Sequence, residues 1–135
     1  MTPARQAYVL LRLAIGMSMF LHGATRIGAG ADRFALTVTH EFQATFLPAG
    51  LVHGYALALP FVECLIGLLL LLGWLTRGAL VLGGLTMISL IFGTALRSEW
   101  NTIGLQLIYA AVFYLLLSRL EDNAFALDCV RGPRD

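Results

Sequence analysis

Four long apolar segments follow one another along the chain, and each is long enough to cross a bilayer as a helix. They cover residues 7–27, 54–75, 78–96 and 102–118. A helix needs about 20 apolar residues to cross a hydrocarbon core of about 30 Å. The segments do not alternate polar and apolar positions at a period of two, which excludes membrane β-strands. The pattern therefore predicts an all-α integral membrane four-helix bundle, formed by one domain over residues 1–135.

The longest connection joins the first two spans. Glycines in the segment GAGAD, residues 28–32, break the first helix, and Asp32 is suited to cap a new one. Phe34, Val38 and Phe42 then recur every four residues, which predicts a short amphipathic helix lying on the outer leaflet. We interpret Phe34 and Phe42 as membrane anchors.

The second and third spans are separated by Thr76 and Arg77 alone, which predicts a tight antiparallel hairpin. Three glycines of the third span, Gly83, Gly84 and Gly93, are expected to allow close helix packing. Pro60 is expected to kink the second span.

Composition agrees with a membrane protein and excludes several other classes. The hydrophobic set makes up 59% of the chain and the charged set 13%, whereas a soluble domain is about 25% charged. The nine basic residues are all arginines, are scattered, and leave a net charge of +1, which excludes a nucleic-acid binder. The two cysteines form no CxxC motif, which argues against a thiol–disulfide exchanger.

Arginine positions predict the orientation of the bundle. With four spans, six arginines lie on the side of the termini and three on the other side. The positive-inside rule then places both termini, including the tail 119–135, in the cytoplasm.

Three spans carry polar positions along one side. At 100° per residue, these sides hold Arg12, His22 and Arg26 on the first span, Thr86, Gly93 and Arg97 on the third, and Thr102, Gln106, Tyr109 and Phe113 on the fourth. Each side is expected to face into the bundle, because lipid does not accept polar groups.

Polar residues inside the spans gather in the half of the bilayer opposite the termini. An ionisable group at this depth costs about 2.5–3.5 kcal/mol on insertion, so each one needs a reason. One interpretation is a pocket that exchanges protons with a quinone headgroup or binds a small anion, lined by His22, Arg26, Glu63, Arg97, Trp100, Asn101 and Gln106. The other is that Glu63 is simply neutralised by Arg26 or Arg97. We predict this pairing, with His22 joining the network. No second histidine matches the depth of His22, so we expect neither metal nor haem.

Several segments resemble the DoxX family of small bacterial four-span membrane proteins. The first span carries Leu11-Arg12-Leu13-Ala14-Ile15-Gly16 and Phe20-Leu21-His22-Gly23. The second carries Glu63 followed by Gly67 to Arg77, and the tail carries Asn123 to Asp128. Arg26 stands where a lysine is typical of the family. The resemblance covers residues 10–128. It implies a bacterial inner-membrane protein related to the membrane subunit of thiosulfate:quinone oxidoreductase and to small membrane partners of redox enzymes.

Three functions follow as hypotheses. The first is a quinone-interacting subunit of a sulfur or thiol redox system, with quinone as cofactor and a soluble or membrane redox partner. The second is a small proton-coupled transporter, which would be a homo-oligomer in which Glu63 binds protons and a cation in turn. The third is a non-catalytic scaffold whose tail anchors a redox partner.

Overall fold

The computed structural model describes residues 1–130 and Gly132, and the helices within this part confirm the all-α prediction. Arg131 and Arg134, which contribute to the arginine count above, lie outside the described residues. Four helices are long and apolar enough to cross a membrane, and they run Pro3–Glu41 (α1), Ala49–Leu72 (α2), Thr76–Leu96 (α3) and Trp100–Ser118 (α4). A 3-10 turn at Leu120–Asp122 and a short helix α5 at Leu127–Val130 follow.

Helix α1 is broken at Gly30, which has φ 106° and ψ 105°. This conformation is one that residues with a side chain rarely adopt, so glycine is required there. Beyond it, residues 31–41 form a second helical segment, called the arm below, which confirms the predicted amphipathic helix. Asp32 lies inside the arm and does not cap it, because the helix resumes directly after Gly30.

The apolar face of the arm packs on the bundle, so the interpretation of Phe34 and Phe42 as membrane anchors is wrong. The guanidinium of Arg26 lies 4.5 Å from the centre of the Phe34 ring. The guanidinium of Arg97 lies 5.3 Å from that of Phe42. Both rings are half-buried. Two arginines of the bundle thus hold the face that we expected in lipid.

The turn between α2 and α3 lies earlier than predicted. Helix α2 ends at Leu72, and Gly73 adopts the left-handed conformation with φ 62°. The N–H of Trp74 donates to the carbonyl of Leu69 at 2.9 Å, which closes the helix end. Residues 73–75 therefore make the connection, and Thr76 and Arg77 already belong to α3.

Glycines set the closest helix contact, which is between α1 and α2. A Cβ on Gly67 would lie 2.2 Å from the backbone nitrogen of Phe20, and one on Gly23 would lie 2.2 Å from the carbonyl oxygen of Pro60. On α3, Gly83 lies under the Phe113 ring and Gly93 lies against Phe42, as expected, but Gly84 faces open space. The α1–α2 glycines therefore let two backbones touch.

Arg12 holds the tail and does not belong to a polar stripe with His22 and Arg26. Its side chain is 1% exposed. The Nη1 group donates to Oδ1 of Asn123 at 2.5 Å and to the carbonyl of Ala124 at 3.1 Å, and Nη2 donates to the carbonyl of Phe125 at 2.9 Å. Since Arg12 and Arg26 are about 21 Å apart along a helix, they lie at opposite ends of the bundle. We call these the tail end and the arm end.

Candidate binding site

A cavity of about 420 Å³ lies at the arm end, between the arm, the first half of α2, the second half of α3 and the start of α4. This volume lies within the range of about 300–1,000 Å³ that is usual for small-molecule sites. Most of its walls are aliphatic or aromatic, with Val38, Val52, Leu59, Leu90 and Phe92 among the contributors. Its polar lining includes Arg26, Tyr55, Ser89, Thr94, Arg97 and Gln106. The combination suits an amphipathic molecule.

Glu63 pairs with Arg26, which confirms the predicted ion pair. The Nη1 group of Arg26 donates to Oε2 of Glu63 at 2.7 Å, and the side chain of Glu63 is 5% exposed. Arg26 lines the cavity, whereas Glu63 lies behind it and is not part of the lining. Helix α2 buries Glu63 on the face that packs against α1, and this fixes its contact with Arg26. The carboxylate therefore acts on the cavity through Arg26.

Arg97 closes the cavity from α3 and ties three elements together. Its Nη1 group lies 3.0 Å from Oε2 of Glu41 at the end of the arm, and Nη2 donates to Oε1 of Glu99 just before α4. Both arginines are thus paired with carboxylates, and the charged groups that line the cavity, Arg26, Arg97, Glu41 and Glu99, sum to zero. No unpaired positive charge is left for an anion, so the charge balance favours a neutral ligand.

Two hydrogen-bonded polar pairs lie in the wall. The hydroxyl groups of Tyr55 and Ser89 are 2.6 Å apart. The Nε2 group of Gln106 donates to Oγ1 of Thr94 at 2.9 Å. Gln106 was a candidate from the sequence, but Tyr55, Ser89 and Thr94 were not. Ser89 lies on the same side of α3 as Thr86, Gly93 and Arg97. This stripe was the sequence feature that could have identified Ser89 as a residue of the cavity wall.

Three sequence candidates lie outside the cavity. His22 is exposed on α1, its Nδ1 atom is 2.9 Å from the carbonyl oxygen of Ser18, and its ring meets that of Tyr109 edge-on. It makes no hydrogen bond to Arg26 or Glu63, so the structure confirms the predicted pair without a hydrogen bond from His22. Trp100 and Asn101 are exposed in the first turn of α4. The structure thus brings together Arg26, Arg97 and Gln106, with Glu63 behind them.

The face of α4 that we expected to point inward does so. Thr102 and Gln106 line the cavity, Tyr109 hydrogen-bonds to Ser18 of α1 at 2.6 Å, and Phe113 is 2% exposed. These residues are spaced three or four apart and share one side of the helix. Trp100 and Asn101 fall on other sides, which explains their exposure. Within residues 1–130 no three histidine, cysteine or acidic side chains are grouped so that they could hold a metal ion.

Comparison with known proteins identifies a family. The model of the DoxX family matches residues 7–95, which is more than half of the chain and covers most of α1, all of α2 and nearly all of α3. The cavity walls supplied by these three helices lie largely within the matched part. No curated protein and no solved structure matches the chain.

Proposed function

The chain belongs to the DoxX family, and from this premise we propose that it is a quinone-interacting membrane subunit of a sulfur or thiol redox system. The cavity at the arm end is the observation that supports the proposal. Its apolar walls suit the ring and the first part of an isoprenoid tail, and its polar groups suit the oxygens of the headgroup. In this proposal a soluble or membrane partner exchanges electrons with the bound quinone.

The sequence left two ligands open, a quinone and a small anion. The charge around the cavity favours the quinone. A quinone is neutral, whereas an anion would need an unpaired positive charge. Arg26 and Arg97 are both paired with carboxylates, so the cavity offers none. We therefore propose quinone as the ligand.

The transporter and scaffold hypotheses receive less support. A transporter would need Glu63 to exchange a proton for a cation, but its carboxylate is bound by Arg26 and does not line the cavity. A scaffold would need a tail free to bind a partner, but Asn123 and Asp128 bind the chain's own α1 and α3.

We also propose that the protein lies in a bacterial inner membrane with both termini in the cytoplasm, which puts the cavity in the outer half of the bilayer. The excess of arginines at the tail end supports this orientation. Cys129 is exposed at that end. A thiol reagent that does not cross membranes should label it in intact cells only if the orientation is the reverse.

A cavity-filling variant tests the quinone proposal. We expect purified protein in lipid nanodiscs to bind decylubiquinone, and Gly93→Leu to weaken binding at least tenfold, because Gly93 lies in the wall against Phe42. Titration followed by ligand or tryptophan fluorescence measures the affinity. Gly84→Leu is the matched control, since this glycine of the same helix faces open space. A wild-type protein that binds no quinone, or equal binding by all three proteins, would contradict the proposal.

A further inference from the structure

The direction of one hydrogen-bond chain in the cavity wall follows from the chemistry of its atoms. The hydroxyl of Ser89 donates to the carbonyl of Thr86 at 2.8 Å. A carbonyl only accepts, so the single hydroxyl hydrogen of Ser89 is used there. The hydroxyl of Tyr55 lies 2.6 Å from the same Ser89 oxygen. Tyr55 must therefore be the donor, and its own hydrogen is also used.

This direction leaves Tyr55 as an acceptor toward the cavity. A phenolic oxygen that has given its hydrogen to Ser89 keeps lone pairs but has no second hydrogen to offer. Tyr55 lines the cavity, which places its side chain beside a ligand bound there. A bound molecule gains a hydrogen bond from Tyr55 only if it brings a donor.

The two oxidation states of a quinone differ in this property. A quinone has two carbonyl oxygens, which accept hydrogen bonds, whereas a quinol has two hydroxyl groups, which also donate. We propose that Tyr55, held by Ser89, makes the cavity bind the quinol more tightly than the quinone; this inference rests on the proposed function.

The remaining arginine N–H groups explain why the quinone should still bind. A guanidinium has five N–H donors, and the hydrogen bonds of Arg26 and Arg97 to carboxylates use only part of them. A carbonyl of the quinone has these donors available. The inference therefore concerns the ratio of two affinities, and Tyr55 acts as a specificity-determining residue.

The experiment compares decylubiquinone with decylubiquinol, kept reduced without oxygen, on the same nanodisc preparations. One good hydrogen bond corresponds to roughly a 3- to 10-fold difference in affinity. We expect the wild-type protein to bind the quinol tighter by this factor. A tenfold ratio would raise the midpoint potential of the bound two-electron couple by about 30 mV.

Two variants distinguish this role of Tyr55 from simple packing. Tyr55→Phe keeps the ring and removes the oxygen, so it should weaken quinol binding and bring the ratio close to one. Ser89→Ala removes the acceptor that orients the Tyr55 hydroxyl, which frees that hydrogen for a carbonyl, so it should tighten quinone binding. Tyr114→Phe is the matched control, because Tyr114 lies outside the cavity and is 70% exposed; it should leave both affinities unchanged.

The outcomes separate this inference from the function on which it rests. If neither form binds the wild-type protein, the proposed function itself fails. If both forms bind equally, or if Tyr55→Phe weakens both by the same factor, the quinone site stands and the role of Tyr55 is overturned. A quinol preference that Tyr55→Phe abolishes and Ser89→Ala reduces supports the inference.

Discussion

At the scale of single residues, Glu63 and Arg26 show how a membrane protein uses an ion pair. Glu63 is 5% exposed and Arg26 31% exposed, so the acid is shielded and the base reaches the edge of the bundle. Removing one partner of a buried pair typically costs about 3–5 kcal/mol, because the other charge is left without a partner. Arg26 keeps partial access to polar surroundings, which places the expected cost at the lower end of this range.

We therefore predict that Glu63→Ala lowers the free energy of unfolding by about 3 kcal/mol. Glu63→Gln should cost less, because it keeps the shape and one acceptor for Arg26. Unfolding by sodium dodecyl sulfate from mixed micelles, followed by far-UV circular dichroism, measures both variants. Glu99→Ala is the control: Glu99 is 41% exposed, so its loss should cost no more than about 1 kcal/mol. Equal losses for Glu63→Ala and Glu99→Ala would contradict this ranking.

The sequence predicted the Glu63–Arg26 pair and the cavity residues Arg97 and Gln106, but it misplaced His22 and missed Tyr55 and Ser89, for a physical reason. An acid within an apolar run needs a partner, and this requirement is visible without a structure. Helical periodicity shows which residues of one helix share a face, but it does not show whether that face points into the bundle or away from it. His22 was placed inward for this reason and is exposed. Tyr55 gave no signal and Ser89 only its place beside the polar stripe of α3, because their pairing depends on how α2 and α3 meet.

At the scale of helices, the packing of α1 on α2 rests on glycines. The backbone nitrogen of Phe20 lies only 2.2 Å from the place that the Cβ of any other residue at position 67 would take. Such a side chain would force the two helices apart, and overpacking of this kind typically costs about 1–3 kcal/mol. The helices could separate only by also moving Arg26 relative to Glu63.

We predict that Gly67→Ala destabilises the protein by at least about 2 kcal/mol, near the upper part of that range. The same measurement of unfolding in mixed micelles applies. Gly84→Ala provides the control, because a Cβ there meets nothing within 4 Å. An alanine in an exposed helix position is about 0.5–1 kcal/mol more favourable than glycine, so this control should be neutral or stabilising. Destabilisation of both variants to the same degree would show that backbone contact is not the cause.

The arm shows what periodicity leaves open at this scale. Spacing of Phe34, Val38 and Phe42 was enough to predict an amphipathic helix, and the structure has one. The same apolar face would suit lipid or protein, however, and the sequence alone favoured lipid. Three features direct the apolar face of the arm onto the protein. These are the break at Gly30 and the guanidinium groups of Arg26 and Arg97, which lie over the Phe34 and Phe42 rings. The arm thereby becomes a wall of the cavity.

At the scale of the whole molecule, the two ends of the bundle carry separate polar networks. The arm end contains the cavity, whereas at the tail end residues 123–128 bind both Arg12 and the turn between α2 and α3. The carboxylate of Asp128 accepts hydrogen bonds from the backbone N–H groups of Leu75 and Thr76, both at 2.8 Å. The backbone N–H of Asp128 donates to the carbonyl of Gly73 at 3.0 Å. One segment thus joins α1, α2 and α3 at the tail end.

These contacts determine the acid response of Asp128. Burial raises the pKa of its carboxyl group, but the hydrogen bonds from Thr76 and Leu75 and the charge of Arg12 lower it more, so the pKa lies below its usual value. A carboxylate with a lowered pKa in the folded state stabilises that state above its unfolded-state pKa, and this contribution is lost as the pH falls through the folded-state pKa. The tail should therefore stay bound at neutral pH and be released only below about pH 4.

We predict that Asp128→Asn weakens the docking of the tail by about 1 kcal/mol at neutral pH, because hydrogen bonds to a charged acceptor are stronger than those to an amide. It should also remove most of the acid-induced release. A fluorophore on Cys129, with Cys64 replaced by alanine, reports the motion of the tail as fluorescence anisotropy, measured between neutral and acidic pH.

Asp122→Asn serves as the control and should keep the wild-type pH profile. Asp122 contributes no side-chain hydrogen bond to the network that holds residues 123–128. If Asp128→Asn leaves the acid-induced release unchanged, the pH dependence belongs to another carboxylate. If the tail of the wild-type protein is already mobile at neutral pH, the docked arrangement itself is contradicted.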